Sequence, residues 1–437
     1  MIKKIKDGRK NVAEVKELLD SRSGDNLDEY RKVAADILKN VKINGDQAVL
    51  DYTERFDGMK FKASELEVKV EEIEKALKSV DKDFLKALEN AAANIEDFHS
   101  EQKTSSWQKQ KEPGIIIGQV CRALKKAAVY VPGGRAAYPS SVLMTVIPAK
   151  VAGVEEIIML TPPDKNGEVS DVILAAASIA GADRIFKVGG AQAVAAAAYG
   201  TETIPAVDII VGPGNIYVSM AKELVFGQVK IDMIAGPSEI MIMAEKDSNP
   251  AYIAADLMSQ AEHDPLASSI LVTDAPELIP QVEEELKKQI KNMSKKDIIE
   301  ESLKNYGLMI TVNNKEEALE MINLVAPEHL ELAVKNPFEI LPSVQNAGSI
   351  FLGEYTPEPI GDYYAGPNHV LPTNSTARFF SPLSVRDFVK YSGFIHYSKE
   401  ALAEASEDVI CLAEGEGLDS HANSIRIRTE KGEKSEQ

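Results

Sequence analysis

The first hundred residues alternate apolar and charged positions with the spacing of amphipathic helices. The pattern is clearest in VAEVKELLD, YRKVAADILKNVKING, EEIEKALKSV and FLKALENAAANIEDFHS. The many Lys and Glu residues between the apolar positions are typical of solvent-exposed helix faces. Residues from about 11 to 99 are therefore predicted to be mostly helical. His99 ends the last of these helices without a candidate partner nearby, and we interpret it as structural.

From Ala127 onward, short apolar runs alternate with helical segments and glycine-rich turns. AAVYVPGG, EEIIMLTPP, RIFKVGG and VDIIVGPGN are predicted strands, and helical segments follow each of them. After residue 239 the alternation returns with longer helices, around the predicted strands SSILVT, GLMITV and SIFLG. Strands alternating with helices indicate βαβ units and parallel sheets. The sequence thus predicts an α/β fold with two sheet-based halves, although no clear internal repeat is visible.

Composition and charge exclude several classes of protein. A chain of 437 residues with 44% hydrophobic residues has room for two to four structural units with their own cores. Its net charge of -19 makes nucleic acids and anionic membrane surfaces poor partners. The charged N-terminus resembles no secretory signal, and no apolar run is long enough to cross a bilayer. With Cys121 and Cys411 as the only cysteines, we expect no disulfide framework and a cytoplasmic location.

The segment DLMSQAEHDP, residues 256–265, concentrates polar groups in an otherwise helical run. Gln260 and His263 are three residues apart and would share a helix face. Asp264 precedes Pro265, which disfavours further helix, so the pair is expected at a helix end. A polar pair of this kind is by itself more often a solvated face than a metal site.

Further acid and histidine pairs follow downstream. Glu328 and His329 offer two groups with different intrinsic pKa values, which suits a reaction that removes protons from a hydroxyl group and from water. The glycine- and proline-rich segments 361–369 and 416–421 each contain an acid and a histidine. If these groups converge, imidazole, carboxylate and amide ligands would suit Zn²⁺ or Mn²⁺ with room for a substrate. His396, flanked by aromatic residues in FIHYS, is interpreted as a core residue.

The turn GPGN contains two glycines of a dinucleotide-binding motif but not the third. Gly212 and Gly214 would let backbone amides approach a phosphate at a helix N-terminus. Asp232 lies at a distance that an acid contacting a ribose would have, but coincidence explains it equally well. The pattern fits a phosphate or dinucleotide site and a plain tight turn equally.

Long blocks of the sequence occur in the order and spacing of the histidinol dehydrogenase family. They are YVPGGRAAYPSSVLMTVIPAKVAGV, VGGAQAVAAAAYG, DIIVGPGNIYV, DMIAGPSEI, LMSQAEHDP, APEHLEL, GDYYAGPNHVLPTNSTARFFSPLSV and EGLDSHANSI. The resemblance covers residues 25–428, and no departure falls at a position used below. It implies an oxidoreductase that converts L-histidinol to L-histidine through L-histidinal with two NAD, the last step of histidine biosynthesis, and that holds one zinc ion per subunit.

The resemblance also assigns roles to individual residues. It implies that His329 is the base that takes the hydroxyl proton and that Glu328 activates water. The implied zinc ligands are Gln260, His263, Asp362 and His421. The implied substrate contacts are Ser238, Gln260, His263, His329, Asp362, His369, Glu416 and His421. The implied NAD contacts are Tyr130, Gln192 and Asn215.

For the fold, the resemblance implies two incomplete Rossmann-like domains related by duplication. We expect an N-terminal helical segment at 1–25 and a first α/β domain, with the zinc and substrate site, at 26–129 and 238–382. The second Rossmann-like domain, with the NAD contacts, is expected at 130–237, and a small C-terminal dimerisation segment at 383–437. The implied assembly is a homodimer in which the C-terminal segment of one subunit completes the site of the other, and a monomer would be inactive.

Two rival hypotheses remain at this point. The same zinc and NAD machinery could oxidise another small alcohol, such as a sulfonated diol, although Glu416, His369 and the metal set favour histidinol. A non-catalytic binding protein on this fold would be expected to have lost Glu328, His329 or a metal ligand, and all of them are present.

Overall fold

The computed structural model describes residues 2–8, 10–23, 27–133 and 137–429. The helices are α1 (Val12–Asp20), α2 (Leu27–Asp57), α3 (Val70–Ser79), α4 (Lys82–Ser100), α5 (Pro139–Ala152), α6 (Asp171–Ala180), α7 (Gly190–Tyr199), α8 (Ile216–Val225), α9 (Pro250–Ala261), α10 (Leu278–Gln289), α11 (Lys296–Tyr306), α12 (Lys315–Val325), α13 (Pro337–Ile340), α14 (Glu358–Tyr363), α15 (Lys399–Gly415) and α16 (Asp419–Thr429). The strands are β1 (Lys3–Ile5), β2 (Trp107–Glu112), β3 (Ile115–Ala123), β4 (Lys126–Tyr130), β5 (Glu156–Thr161), β6 (Arg184–Lys187), β7 (Ile209–Val211), β8 (Lys230–Ile231), β9 (Glu239–Ala244), β10 (Ser268–Thr273), β11 (Gly307–Thr311), β12 (His329–Ala333), β13 (Ser349–Leu352) and β14 (Val389–Tyr397).

A five-stranded parallel sheet has the order β6-β5-β4-β7-β8. Its central strand β4 is buried on both faces. Ala127 and Val129 belong to one core with α4, α5 and α6, and Ala128 and Tyr130 belong to the other with α2, α7 and α8. Parallel strands covered by helices on both faces need continuous apolar sequences, which is why these strands are recognisable in the sequence.

A six-stranded parallel sheet has the order β1-β11-β10-β9-β12-β13. In β9, Met241 and Met243 pack in a core with α1 and α12, and Ile240 and Ile242 pack in a core with α9, α10 and α11. His329 pairs with Ile240, so β9 and β12 begin at the same edge of the sheet. The two parallel sheets confirm the predicted α/β class, and both lie in one compact unit, residues 1–102 and 124–388.

The predicted domain boundaries differ from the arrangement of these elements. We assigned residues 26–129 to the domain with the zinc site. Instead, α2 contributes Ile37 and Val41 to a core of the five-stranded sheet, and α4 contributes Ala91 and Ile95 to the other. Amphipathic helices show only that they pack, and the surface they pack on is set by tertiary contacts.

Two other predicted boundaries also differ from the observed elements. Strand β4 is the centre of the five-stranded sheet, although the predicted boundary at 129/130 cuts through its end. The segment predicted as N-terminal helix at 1–25 contains strand β1, which joins the six-stranded sheet, before α1. The junction at residues 25 and 26, and Gly134 of the predicted turn, lie outside the described residues.

The second compact unit comprises residues 103–123 and 389–437, of which 430–437 lie outside the described residues. It contains an antiparallel sheet of order β14-β3-β2 together with α15 and α16. The predicted C-terminal segment at 383–437 therefore pairs with residues 103–123. His396 is exposed on β14, so its interpretation as a core residue is wrong, because most residues of this strand face solvent.

Among the described helices, none combines the length and apolar character required to cross a membrane.

Candidate active site

Several of the predicted site residues lie at the amino edge of the six-stranded sheet. Strand β12 begins at His329 and β9 begins at Glu239. Helix α9 starts at the Asn249 cap and at Pro250, runs antiparallel to the strands it connects, and ends at Ala261. Its C-terminus is therefore delivered to the edge where β10 begins. The carbonyl ends of such a helix carry partial negative charge, which favours a cation there.

Three side chains at this edge form a cluster that could hold a metal ion. The ligand atoms of His263, Glu358 and Asp362 all lie within 4.8 Å of one another. Glu358 and Asp362 are four residues apart on α14 and therefore project from one face. The Ser259 hydroxyl donates to Glu358 Oε2 at 3.1 Å and fixes one of its oxygens. The structure brings His263 and Asp362 together and adds Glu358, which the sequence analysis missed.

Gln260 lies one turn before His263, and its side chain is only 1% exposed. Neither its Oε1 nor its Nε2 has a hydrogen-bond partner among the described residues. Burying an amide without a partner costs about 1–3 kcal/mol, so such a group in a native protein calls for an explanation. A ligand at Oε1 would supply one.

The backbone of Glu239 holds both members of the Glu328 and His329 pair. Its amide N–H donates to Glu328 Oε2 at 2.9 Å, and its carbonyl oxygen accepts from His329 Nδ1 at 3.1 Å. On the other side of the ring, His329 Nε2 lies 3.6 Å from Asp362 Oδ1, which is too long for a hydrogen bond. This nitrogen is buried and has no hydrogen-bond partner within the described part of the chain.

Burial and mutual charge shift the pKa values of this group in different directions. Burial raises the pKa of Glu328 to about 7. Burial, and then the charge of Asp362, raise the pKa of Glu358 to about 8. Burial opposes ionisation of Asp362 as well, but the imidazoles of His329 and His369 lower its pKa below the usual range. Several carboxyl groups therefore compete for little positive charge, a situation that a bound cation relieves.

His329 lies between the carboxylates of Glu328 and Asp362 and gains positive charge from them. Burial lowers its pKa, but the carboxylates of Glu328 and Asp362 outweigh burial and raise the pKa to about 10. A dication held by Asp362 would replace that proton as the compensating charge. The imidazole would then be free to act as a base near neutral pH.

The remaining predicted substrate contacts fall in two places. Ser238 is partly exposed in the turn before β9. His369 donates from Nδ1 to the Asp362 carbonyl oxygen at 3.0 Å, and its Nε2 lies 3.4 Å from the Ser141 hydroxyl. Glu416 and His421 belong to the second compact unit, at the end of α15 and in α16, and both are exposed.

The predicted NAD contacts lie at the carboxyl edge of the five-stranded sheet. Tyr130 ends β4, and its hydroxyl accepts from the Gly190 amide at 3.0 Å. Gln192 is in the first turn of α7, is 1% exposed, and has no hydrogen-bond partner for Oε1 among the described residues. Asn215 caps α8, its oxygen accepting from the amides of Tyr217 and Val218. The structure therefore brings these three predicted residues to one edge.

Asp232 has a structural partner at this edge. Its Oδ2 accepts from the Gly212 amide at 2.8 Å, and its other oxygen pairs with the buried Lys222 ammonium group. Lys222 in turn donates to the Gly212 carbonyl oxygen at 3.0 Å. Gly212 has a φ of +109°, and a Cβ there would lie 2.2 Å from the Tyr130 carbonyl oxygen. The ion pair thus clamps a turn that needs glycine.

A buried imidazole beside paired acids and a metal-capable cluster, on a parallel α/β scaffold, defines the protein as an α/β enzyme. The sequence profile described as histidinol dehydrogenase matches residues 20–429. The chain belongs to the histidinol dehydrogenase family, a family of oxidoreductases.

Relatives of the chain match it almost end to end. It is 55% identical to the histidinol dehydrogenase of Clostridium acetobutylicum over 98% of this chain and 99% of the relative. It is 50% identical to that of Lactococcus lactis, with the same coverage. The crystal structure of histidinol dehydrogenase from Elizabethkingia anophelis superposes with a TM-score of 0.92 at 34% identity, covering 98% of each chain.

Proposed function

We propose that this enzyme oxidises L-histidinol to L-histidine in two successive NAD-dependent steps, with a zinc ion in the site, as the last step of histidine biosynthesis. The observation that carries the proposal is the buried, unpartnered Nε2 of His329 beside the cluster of His263, Glu358 and Asp362. Family membership names the substrate class. The geometry supplies groups for proton removal, for water activation and for cation binding.

His329 is the base of the proposed reaction, and its hydrogen bond identifies the atom that accepts the proton. A backbone carbonyl oxygen only accepts, so the Nδ1 atom that faces Glu239 must carry the ring proton. In the neutral imidazole, Nε2 is then unprotonated, and it faces the cluster. In the first step, the substrate hydroxyl gives its proton to Nε2, a hydride leaves the carbinol carbon, and the aldehyde forms.

Glu328 is the proposed activator of water in the second step. Burial raises its pKa to about 7, which places it in the range where a carboxylate can take a proton from water and release it again. Addition of water to histidinal gives the hydrated aldehyde. His329 then takes a hydroxyl proton as the second hydride leaves, and the acid forms. Each step uses one NAD and produces one NADH.

The residues at the amino edge fit the zinc ion that the family implies. Imidazole and carboxylate are common zinc ligands, and the orphaned amide of Gln260 lacks the partner that a metal would provide. Gln260, His263 and Asp362 would hold the ion from one subunit, and Glu358 lies within the same cluster. A bound zinc ion would supply positive charge and open coordination positions for the imidazole and amino nitrogens of the substrate. Ser238, His369 and Glu416 are the further proposed substrate contacts.

The carboxyl edge of the five-stranded sheet is the proposed site of NAD. Helices α7 and α8 begin there, so the positive ends of two helix dipoles favour a pyrophosphate. The buried Gln192 Oε1 lacks a partner within the described part of the chain, and the Asn215 side chain is exposed at the start of α8. NAD, when bound, accepts the hydride from the substrate carbon. Tyr130, Gln192 and Asn215 would hold it.

The sheet topology supports the proposed origin of the fold by duplication. Taken in chain order, both sheets have the strand order 3-2-1-4-5, with β1 added at the edge of the larger one. This is the doubly wound order without its sixth strand, so both are proposed to be incomplete Rossmann-like units. The proposed assembly is a cytoplasmic homodimer in which Glu416 and His421 of one subunit complete the site of the other.

Counting NADH per alcohol tests the proposal. Limiting L-histidinol with excess NAD should give two NADH per molecule consumed, and histidine as the product. A sulfonated diol should give none. One NADH per histidinol would contradict the second oxidation step. NADH formed from the diol but not from histidinol would show that the rival substrate is the correct one.

A further inference from the structure

A fully buried arginine lies behind the proposed catalytic residues. Arg22, in a short 3₁₀ turn after α1, has a side chain with 0% exposure. Its Nε donates to the Leu266 carbonyl oxygen at 3.0 Å, and its Nη1 donates to Glu239 Oε2 at 2.9 Å. Its Nη2 donates to the carbonyl oxygens of Pro237 at 2.6 Å and Ser238 at 3.1 Å. One side chain thus ties the turn before β9 to the segment that follows His263.

Glu239, the partner of Arg22, connects the arginine to the catalytic pair, because its side chain and its backbone bind different groups. Its Oε1 accepts from the Asn374 amide at 2.7 Å, so both carboxylate oxygens are used. Its main-chain amide and carbonyl groups hold Glu328 and His329. The ion pair therefore fixes a residue whose backbone contacts both proposed catalytic side chains.

We propose that the Arg22 and Glu239 ion pair positions the catalytic pair, with the Glu239 carbonyl keeping the ring proton of His329 on Nδ1 so that Nε2 stays free for the substrate. This inference rests on the proposed function, because it assumes that His329 is the base. Arg22 and Glu239 are buried, are not among the proposed substrate or cofactor contacts, and act as positioning residues. A general base acts only in the correct tautomer and orientation, so loosening Glu239 should slow proton removal without weakening metal binding.

The hydrogen bonds of Arg22 require a guanidinium group. Arginine presents five donors in a rigid plane, whereas lysine presents three donors on a single nitrogen. Lysine at position 22 would keep the charge opposite Glu239 but could not also reach Leu266 and the turn at Pro237. Arg22→Lys is thus a conservative change in charge and a severe one in geometry.

The test compares Arg22→Lys and Glu239→Gln with the zinc-loaded wild-type enzyme. Loss of a group that orients a site residue typically costs about 10–100-fold, and we expect kcat to fall by that factor in both variants. Zinc content and the KM for NAD should stay unchanged. Arg184→Lys is the matched control, because Arg184 makes two 2.8 Å bonds to Glu67 at the start of β6, away from both proposed sites. It should retain wild-type kcat.

Nitrogen NMR of ¹⁵N-histidine-labelled enzyme separates positioning from mere stabilisation. The His329 signals are assigned by their loss in His329→Asn. In the zinc-loaded wild type they should show a protonated Nδ1 and an unprotonated Nε2, and in both zinc-loaded variants they should move toward a mixture of tautomers. Wild-type kcat in both variants, or a lower kcat with unchanged His329 signals, would overturn the proposal.

The same spectra keep the test decisive if the variants fold poorly. A wild-type signal with the proton on Nε2 would overturn the proposal without any variant. If His329→Asn itself retained turnover, the proposed function would fail instead. If His329→Asn lost turnover but Arg22→Lys kept the wild-type kcat, only the positioning role of Arg22 would be contradicted.

Discussion

The two parallel sheets share one strand order, but the functional groups proposed for them lie at opposite edges. In the five-stranded sheet, Tyr130 is the last residue of β4, and Gly212 follows the carboxyl end of β7. In the six-stranded sheet, Glu239 and His329 are the first residues of β9 and β12. Open α/β sheets usually bind ligands at the carboxyl edge, so the site proposed for the six-stranded sheet lies at the less common edge.

The edges differ in helix polarity as well as in side chains. Helices α7 and α8 begin at the carboxyl edge of the smaller sheet and direct amides toward it, which suits a phosphate. Helix α9 ends at the amino edge of the larger sheet and directs carbonyl groups toward it, which suits a cation. The cluster of His263, Glu358 and Asp362 lies at that second edge. We call the carboxyl edge of the five-stranded sheet the anion edge and the amino edge of the six-stranded sheet the cation edge, after the ligands proposed for them.

Removing the proposed base should lower kcat more than any other change and should leave NAD binding at the anion edge unaffected. His329→Asn deletes Nε2, and loss of a general base lowers kcat by about 10²–10⁴-fold. Zinc content and NAD affinity should remain, since His329 is not a proposed ligand of either. His396→Asn, the same exchange at an exposed histidine, should leave kcat unchanged. Steady-state kinetics at saturating histidinol measure both, and wild-type turnover in His329→Asn would contradict the assignment.

Removing a metal ligand should separate the two edges. Asp362→Asn takes away a carboxylate of the cluster, and zinc affinity should fall by at least about ten-fold, because even groups behind a metal ligand cost that much when lost. Competition with a chelating dye measures the affinity, and fluorescence titration measures NAD binding, which should not change. Asp264→Asn is the control, because asparagine can still accept from the Leu266 amide. Equal zinc affinity in both variants would place the metal elsewhere.

A methyl group at the glycine turn should weaken the anion edge alone. In Gly212→Ala the new Cβ meets the Tyr130 carbonyl oxygen, so the turn must move. We expect the Kd for NAD to rise about ten-fold, which corresponds to about 1.4 kcal/mol. Gly227→Ala is matched for backbone strain, because φ is +97° there, but its Cβ would meet no atom within 4 Å. If both variants bound NAD equally, the turn would have no part in the site.

Neutralising Asp57 should have the smallest effect and a clear pH dependence. Asp57 ends α2, and burial raises its pKa from 3.8 to about 6. The folded state therefore binds more protons than the unfolded state between these values, so its stability falls as pH rises through that window. Asp57→Asn should raise the free energy of unfolding at pH 7 by about 1 kcal/mol, after allowance for solvent screening of a half-exposed side chain.

Urea unfolding at pH 7 and pH 3 measures this gain, which should disappear at pH 3, where Asp57 is largely protonated in both the folded and the unfolded state. Asp28→Asn is the control, since the Asp28 side chain is 99% exposed. A gain in Asp57→Asn that persisted at pH 3 would contradict the assigned pKa.

Much of this architecture was predictable because buried parallel strands and their helices have distinctive apolar patterns. Strands such as EIIMLT and helices such as DVILAAASIA were correctly identified from pattern alone. Strand β2 has six exposed residues and no apolar alternation, so nothing in its sequence indicates a sheet. Aromatic neighbours made His396 look buried, whereas an open three-stranded sheet leaves such residues exposed.

The residue types of the site were predictable from the sequence, but the long-range contacts that assemble it were not. Glu358 could have been found from its spacing of four residues before Asp362, which is the signal of a shared helix face. The Arg22 and Glu239 pair spans 217 positions, and no local pattern reports a contact at that range. Long-range ion pairs depend on how whole elements pack, which residue periodicity does not encode.

The central claim is that the two sheets bind zinc and NAD at opposite edges. The most direct test is a crystal structure of the enzyme loaded with both, with anomalous diffraction data collected at the X-ray absorption energy of zinc. The account predicts one anomalous peak per subunit, bounded by Gln260, His263 and Asp362, and cofactor density against Tyr130, Gln192 and Asn215. A zinc peak away from α9 and α14, or NAD at the amino edge of the six-stranded sheet, would contradict it.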